Sequence, residues 1–256
     1  MSDNSDDVES EETEDSGVDD APRVVDLGTA ITILNDGEME LEGRMPWSSN
    51  ATFLVKIHHD LGTAGGIYKP ERGERPLWDF PSGLYRREVA AFELSDELGW
   101  GLVPPTVARD GVHGEGSVQL FIDADFEEHH FTLVEDEVHH EQLKRMAVFD
   151  VIVNNTDRKS GHCLLAADGH IWGIDHGLCF SEEFKLRTVI WEFGGELIPE
   201  RELEDLAELE GGLPERVTDL LSRQECAALY SRVLYLLENK TLPSDDTGRR
   251  YPWPLV

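Results

Sequence analysis

The stretch from 141 to 177 leaves the chain few ways to fold. Leu143, Met146, Ala147, Asp150 and Val151 recur at helical spacing over 141–153, then the rhythm stops at the polar run Asn154-Asn155-Thr156-Asp157-Arg158-Lys159. Two short apolar segments follow, 163–166 and 171–174, split by Asp168-Gly169, a pair suited to a tight hairpin turn. A helix, a polar loop and a two-stranded hairpin are therefore expected in that order. Asp157 lies in the loop and Asp175 sits directly at the hairpin's exit.

The preceding half is strand-rich. Residues 27–34 read as a short helix stopped by Asn35-Asp36-Gly37, after which Met39 and Leu41, then Ala51, Phe53, Val55 and Ile57, supply period-two apolar positions for two strands. Between them Pro46-Trp47-Ser48-Ser49-Asn50 forms a small polar connection able to aim backbone N–H groups at an anion. A third strand over 65–69 ends at Pro70. Residues 83–98 are expected to be helical, with Ser82 as N-cap and Glu88 inside. Two further strands are expected at 103–107 and 117–122. After the hairpin the pattern is helical at 200–209, 214–221 and 224–237, and it closes in an Arg-Arg and Pro-Trp-Pro coil.

Charge narrows the partners. The formal net charge is −31 over 256 residues, and residues 1–22 carry many acidic side chains and no Lys or Arg, which marks them as a disordered tail. The remainder is still strongly acidic, so a nucleic-acid backbone is not an expected partner. A Lys-poor acidic surface suits a protein kept soluble in concentrated salt, and a halophilic source is expected on that ground. No window is apolar for long enough to cross a membrane, and the acidic start does not resemble a signal peptide. Cys163, Cys179 and Cys226 are too sparse for a disulfide framework, so free thiols and a cytoplasmic location are expected.

Phosphoryl transfer requires hard oxygen ligands for a metal, a cation on the phosphates and a group that orients the nucleophile. The order of helix, Asp157 loop, hairpin and Ile174-Asp175-His176-Gly177 supplies candidates for these roles, and it resembles the catalytic core of the phosphatidylinositol 3- and 4-kinase-like atypical kinases, with HipA-like kinases as more distant relatives. Tyr68-Lys69-Pro70 resembles the strand of the phosphate-binding lysine, and Arg87-Glu88-Val89-Ala90-Ala91 the helix whose glutamate pairs with it. The runs 73–81 and 99–106 resemble a bacterial branch of predicted kinases without a settled substrate. The likeness covers roughly residues 38–195, and the joint order of the motifs carries it.

That resemblance implies an α+β, two-lobed kinase-like fold, with a strand-rich N-lobe over 23–122 holding one main helix, a small helical C-lobe over 123–240, and a coil over 241–256. It implies ATP with Mg2+ or Mn2+ as cofactors and a separate, unidentified acceptor as the second partner. Lys69 would hold the phosphates and Glu88 would fix it. Asp157 would orient or deprotonate the acceptor, Asp175 would bind metal, and Ser48, Ser49 and Asn50 would cover the phosphates. Residues 119–122, with Gln119 and Phe121, would be the hinge at the adenine. Lys185 and Arg187 are positioned in sequence to meet an anionic acceptor.

Two positions depart from the pattern. His162 stands where these kinases have an Asn metal ligand, which favours Mn2+ over Mg2+ if the imidazole ligates. Lys159 replaces the loop His. Taken singly, Asp157 is also an ordinary turn residue, Asp175 a strand-end cap, and Glu88 a solvated helix face. A nucleotide-binding pseudokinase and a nucleotidyl transferase on the same fold remain alternatives. The pairs His129-His130 and His139-His140 read as exposed acidic loops, and the set His162, Cys163, His176 and Cys179 as a poor zinc site.

Overall fold

A computed structural model describes residues 26–46, 48 and 50–255. The acidic segment 1–22, expected to be a disordered tail, and Ser49 of the candidate phosphate loop lie outside the described residues. Helix α1 (Leu27–Asp36) starts at Asp26, whose carboxylate accepts from the Thr29 N–H, and covers one face of a five-stranded antiparallel sheet. Its strands are β1 (Glu38–Arg44), β2 (Phe53–His59), β3 (Gly62–Pro70), β4 (Thr106–Gly111) and β5 (Gly114–Leu120), in the spatial order β1-β2-β3-β5-β4. Ile33 and Leu34 meet Val55, Ile57, Tyr68, Val107 and Val118 in a small apolar core. Strand alternation sends Tyr68 into that core and its neighbour Lys69 to the opposite face, where α2 (Leu84–Glu97) lies. Beside Lys69 the backbones close in: a Cβ on Gly116 would stand 2.3 Å from the Lys69 carbonyl oxygen, so only glycine fits there.

In the second half helices outnumber strands. It comprises a three-stranded sheet of β6 (Ala124–Asp125), β7 (Cys163–Ala166) and β8 (Ile171–Gly173), with α3 (His130–Leu133), α4 (His140–Val153), α5 (Glu200–Ala207), α6 (Glu215–Thr218) and α7 (Arg223–Asn239) around it. The inner face of α2, through Ala90, Ala91, Phe92 and Leu94, joins Leu143, Met146 and Phe149 of α4 and Leu229, Val233 and Leu236 of α7 in one large core. Helix α2 is thus shared between the halves. It faces the sheet through Glu88 and the helical core through its apolar side, so it carries position from one half to the other. Among the described residues no helix is long and apolar enough to cross a membrane.

Several boundaries differ from the sequence expectation, each for a physical reason. Ser82 does not cap α2. The N-cap is Gly83, in a left-handed conformation at φ 84°, and the Glu74 carboxylate accepts from the N–H groups of Gly83 (2.9 Å) and Tyr85 (3.0 Å). A carboxylate serves the positive end of a helix better than a hydroxyl. The strand expected at 103–107 begins only at Thr106, because Pro104 and Pro105 have no N–H to give a ladder, and it continues through Arg109 and Asp110. The helix expected at 214–221 is regular only over Glu215–Thr218.

Candidate functional site

The site is built upward from a buried ion pair that sequence reading passed over. Asp150, on the last turn of α4, and Arg158, in the polar loop, are both fully buried and meet at 3.0 Å. Burial alone would weaken the hold of the Arg158 guanidinium on its proton, but Asp150 more than offsets this. Arg158 spends its remaining donors on the His162 carbonyl (3.1 Å), the Ile174 carbonyl (3.0 Å) and the His176 Nε2 (2.7 Å). Asp150 also accepts from the Asn155 amide (3.0 Å) and the Thr188 hydroxyl (3.1 Å). One guanidinium therefore fixes the end of α4, the turn bearing His162, the exit of the hairpin and the residue after Asp175. The available signal was a carboxylate inside the otherwise apolar run 146–153, every residue of which is buried.

Above this floor the sheet half delivers Lys69. Its Nζ donates to Glu88 Oε1 at 2.5 Å and to Asp175 Oδ1 at 2.8 Å, joining β3, α2 and the hairpin exit. Burial would depress the ammonium's pKa, but the Asp175 and Glu88 carboxylates outweigh it and hold Lys69 above its ordinary value. Glu88 is pushed up by burial, against the pull of Lys69, and its second oxygen accepts from the His176 N–H at 2.9 Å. Asp175 is held well below the usual carboxylate range, chiefly by Lys69. About half of its side-chain surface still meets solvent, so the carboxylate is recessed in an open mouth. Its backbone has φ 61°, a left-handed conformation that an Asp tolerates at some strain and that turns the side chain toward Lys69.

His162 Nε2 stands 3.5 Å from Asp175 Oδ2. Burial drives the imidazole down to about 4, against the opposing pull of Asp175, so the ring is neutral near pH 7 and has a lone pair to offer. The Lys159 N–H reaches Nδ1 at a long 3.4 Å, and ligation through Nε2 requires the ring proton to move to Nδ1 and give up that contact. Among the described residues no three His, Cys, Asp or Glu side chains gather to enclose a metal. Asp175 Oδ2 and His162 Nε2 are two donors close together, and a carboxylate with an imidazole suits Mn2+ better than Mg2+.

Asp157 is three-quarters buried at its side chain, and burial raises its pKa, opposed by a 2.8 Å hydrogen bond from Lys159 Nζ. The Asp175 charge also raises it, so the two carboxylates stand within electrostatic reach of one another. Its main-chain N–H donates to the Asn155 side chain at 3.0 Å, which sets the turn.

Lys69, Glu88, Asp175 and His162 are thus in direct contact, and Asp157 joins them through Lys159, whose Nζ it binds and whose N–H reaches His162. The hydrogen bonds of the other candidates go to other partners. Asn50 directs its side-chain oxygen to the Arg75 N–H at 3.0 Å, and Ser48 shares a 2.7 Å hydroxyl contact with Thr52. Gln119 is buried and donates to the Thr106 hydroxyl at 2.9 Å, while Phe121 gives its N–H to the Gly65 carbonyl and leaves a partly exposed ring. Lys185 pairs with Asp79 at 3.1 Å and lies over the Phe80 ring, whereas Arg187 is exposed. His130 is tied to Glu192 at 3.1 Å and His140 to the Val134 carbonyl at 2.8 Å.

Known proteins resemble the chain in sequence and in fold. The family profile described as phosphatidylinositol 3- and 4-kinase matches residues 107–233. Protein Rv2133c of Mycobacterium tuberculosis is 40% identical over 260 residues, covering 87% of this chain and 94% of that protein. Phosphatidylinositol 4-kinase gamma 4 of Oryza sativa is 31% identical over 129 residues, covering 41% of this chain and 22% of its own length. Among solved structures, hydra Fam20 with sugar superposes with TM-score 0.56 at 13% identity, over 83% of this chain and 88% of that one. The Helicobacter pylori proinflammatory kinase CtkA superposes with TM-score 0.50 at 12% identity, over 82% and 94%. The two-lobed α+β fold is kinase-like.

Proposed function

Because this chain belongs to the phosphatidylinositol 3- and 4-kinase-like atypical kinase superfamily, we propose that it transfers the terminal phosphoryl group of ATP to an oxygen nucleophile on a separate acceptor. The observation that carries the reading is Lys69, which reaches from the sheet to both Glu88 and Asp175. A cation held on one carboxylate by a buried partner and on the other at an open mouth can exchange the exposed partner for phosphate oxygens.

Asp175 and His162 would hold a divalent metal, which supplies charge neutralisation on the phosphates. Lys69 gives up Asp175 for the phosphates while Glu88 keeps it in place. Asp157 takes the acceptor's proton as the new oxygen–phosphorus bond forms and the bond to the leaving ADP breaks. Lys159, beside Asp157, places positive charge where charge develops on the transferred group. Arg187 is an exposed cation next to this loop, carried by main-chain hydrogen bonds to Asn155 and Arg158, and it suits an anionic acceptor.

The test is incubation with labelled ATP, Mn2+ or Mg2+ and candidate acceptors, comparing the chain with Asp157→Asn. Phosphate transfer that disappears in Asp157→Asn while nucleotide still raises the melting temperature supports the reading. A mass increase corresponding to an adenylyl group would replace it with nucleotidyl transfer. The occupied state of both carboxylates, Asp175 by Lys69 and Asp157 by Lys159, also favours a second reading, a nucleotide-binding pseudokinase. A melting shift with ATP and metal, without turnover on any acceptor, would select it.

A further inference from the structure

The coil that follows α7 runs back beneath the site. Leu242 exchanges main-chain hydrogen bonds with the 195–196 turn at 2.9 Å, which starts the coil on this path. The Arg250 carbonyl then accepts from the Thr188 N–H (3.2 Å) and the Trp191 indole N–H (3.1 Å), while its guanidinium lies over the Phe184 ring. Thr188 is the residue whose hydroxyl donates to Asp150. Five residues on, the Leu255 carbonyl accepts from the Ser160 N–H at 2.8 Å, and the Leu255 side chain packs on the large core. Between them Pro252 is buried and Trp253 is 87% exposed.

Ser160 opens the tight turn Ser160–His162 that aims His162 at Asp175. It is fully buried, and its N–H donates to the Leu255 carbonyl, which spares it a buried, unsatisfied donor. From these contacts we infer that residues 250–255 are a positioning segment for the loop 157–162, clamping its Ser160 end through Leu255 and its Thr188–Asp150 support through Arg250. Among the described residues the coil makes no hydrogen bond or ion pair to Lys69 or Glu88, so its effect is confined to the helical half of the site. Its consequence for turnover rests on the phosphotransfer reading; its structural content does not.

The experiment removes residues 251–256 and follows amide hydrogen exchange of the peptide covering 158–163. That exchange is expected to quicken about tenfold or more while thermal unfolding stays cooperative. Where ATP turnover is measurable, kcat is expected to fall about tenfold with KM for ATP within about twofold, since Lys69 is untouched. Trp253→Ala, which alters an exposed side chain in the same segment, should change neither quantity. If the shortened chain does not fold, Leu255→Ser keeps the main chain and loses the apolar anchor, and it is read in the same way. Exchange over 158–163 at the rate of the unaltered chain overturns the inference. Quickened exchange with no turnover even in the unaltered chain removes the phosphotransfer reading alone and leaves the positioning segment standing.

Discussion

The floor and the mouth of the site each hold a carboxylate against a cation, and they do so in opposite ways. At the floor, Asp150 and Arg158 have no solvent exposure and every strong donor of Arg158 is committed. At the mouth, Lys69 keeps 23% and Asp175 47% of its side-chain exposure, and the pair is one contact among several that Lys69 can make. Burying a charge is unfavourable unless its partners are fixed, so the floor pair is a rigid support that must stay intact. The mouth pair is displaceable, because water can solvate Asp175 and Glu88 can retain Lys69.

The sharpest way to break this contrast is at the floor. Arg158→Met leaves Asp150 buried without its cation and is expected to destabilise the fold by about 3–5 kcal/mol, measured by chemical denaturation. A loss below about 1 kcal/mol would mean that the floor pair is no more structural than a surface bridge. Asp175→Asn is the matching change at the mouth. Asn tolerates the left-handed backbone that Asp175 adopts, so stability is expected to stay within about 0.5 kcal/mol. Metal-dependent nucleotide binding is expected to be lost and turnover to fall about a hundredfold or more. Equal destabilisation by the two variants would erase the distinction between the regions.

Legibility in the sequence followed the same division. Asp157, Asp175, Lys69 and Glu88 could be picked out because each sits in a short pattern with a recognisable neighbour: a polar loop, a hairpin exit, a strand end before proline, a helix interior. The bounds of α4 and of the β7–β8 hairpin were readable from periodicity and from Asp168-Gly169. Arg158 was not, because a cation in a polar run looks solvated until tertiary structure closes over it. The Leu255 contact with Ser160 joins residues too far apart in the chain for any local rule. Glu74 was missed for a similar reason, since its carboxylate caps α2 from nine residues before the helix's own N-cap. Glu74→Ala is expected to cost about 1 kcal/mol and to loosen α2, which carries Glu88. Thermal unfolding measures the first effect, and a rise in KM for ATP without a matching fall in kcat would measure the second.

The smallest expected effect lies between floor and mouth, at Asp157. Burial raises its pKa and Lys159 opposes that rise. In the proposed phosphotransfer the carboxylate is the form that would accept the acceptor's proton, so kcat/KM should fall as pH drops through the raised value, placing the acid limb above the ordinary 3.8. Lys159→Ala removes the group that holds the value down, so the limb should move to still higher pH. In the same variant the plateau should fall if, as proposed, Lys159 places positive charge beside the transferred phosphoryl group. Lys159 has a second role as donor of its N–H to His162, but that donor belongs to the main chain and survives the substitution. A limb that stays in place while the plateau falls would assign Lys159 to the phosphate alone. A limb that moves to lower pH would show that another group, outside the pair, sets the proton affinity of Asp157.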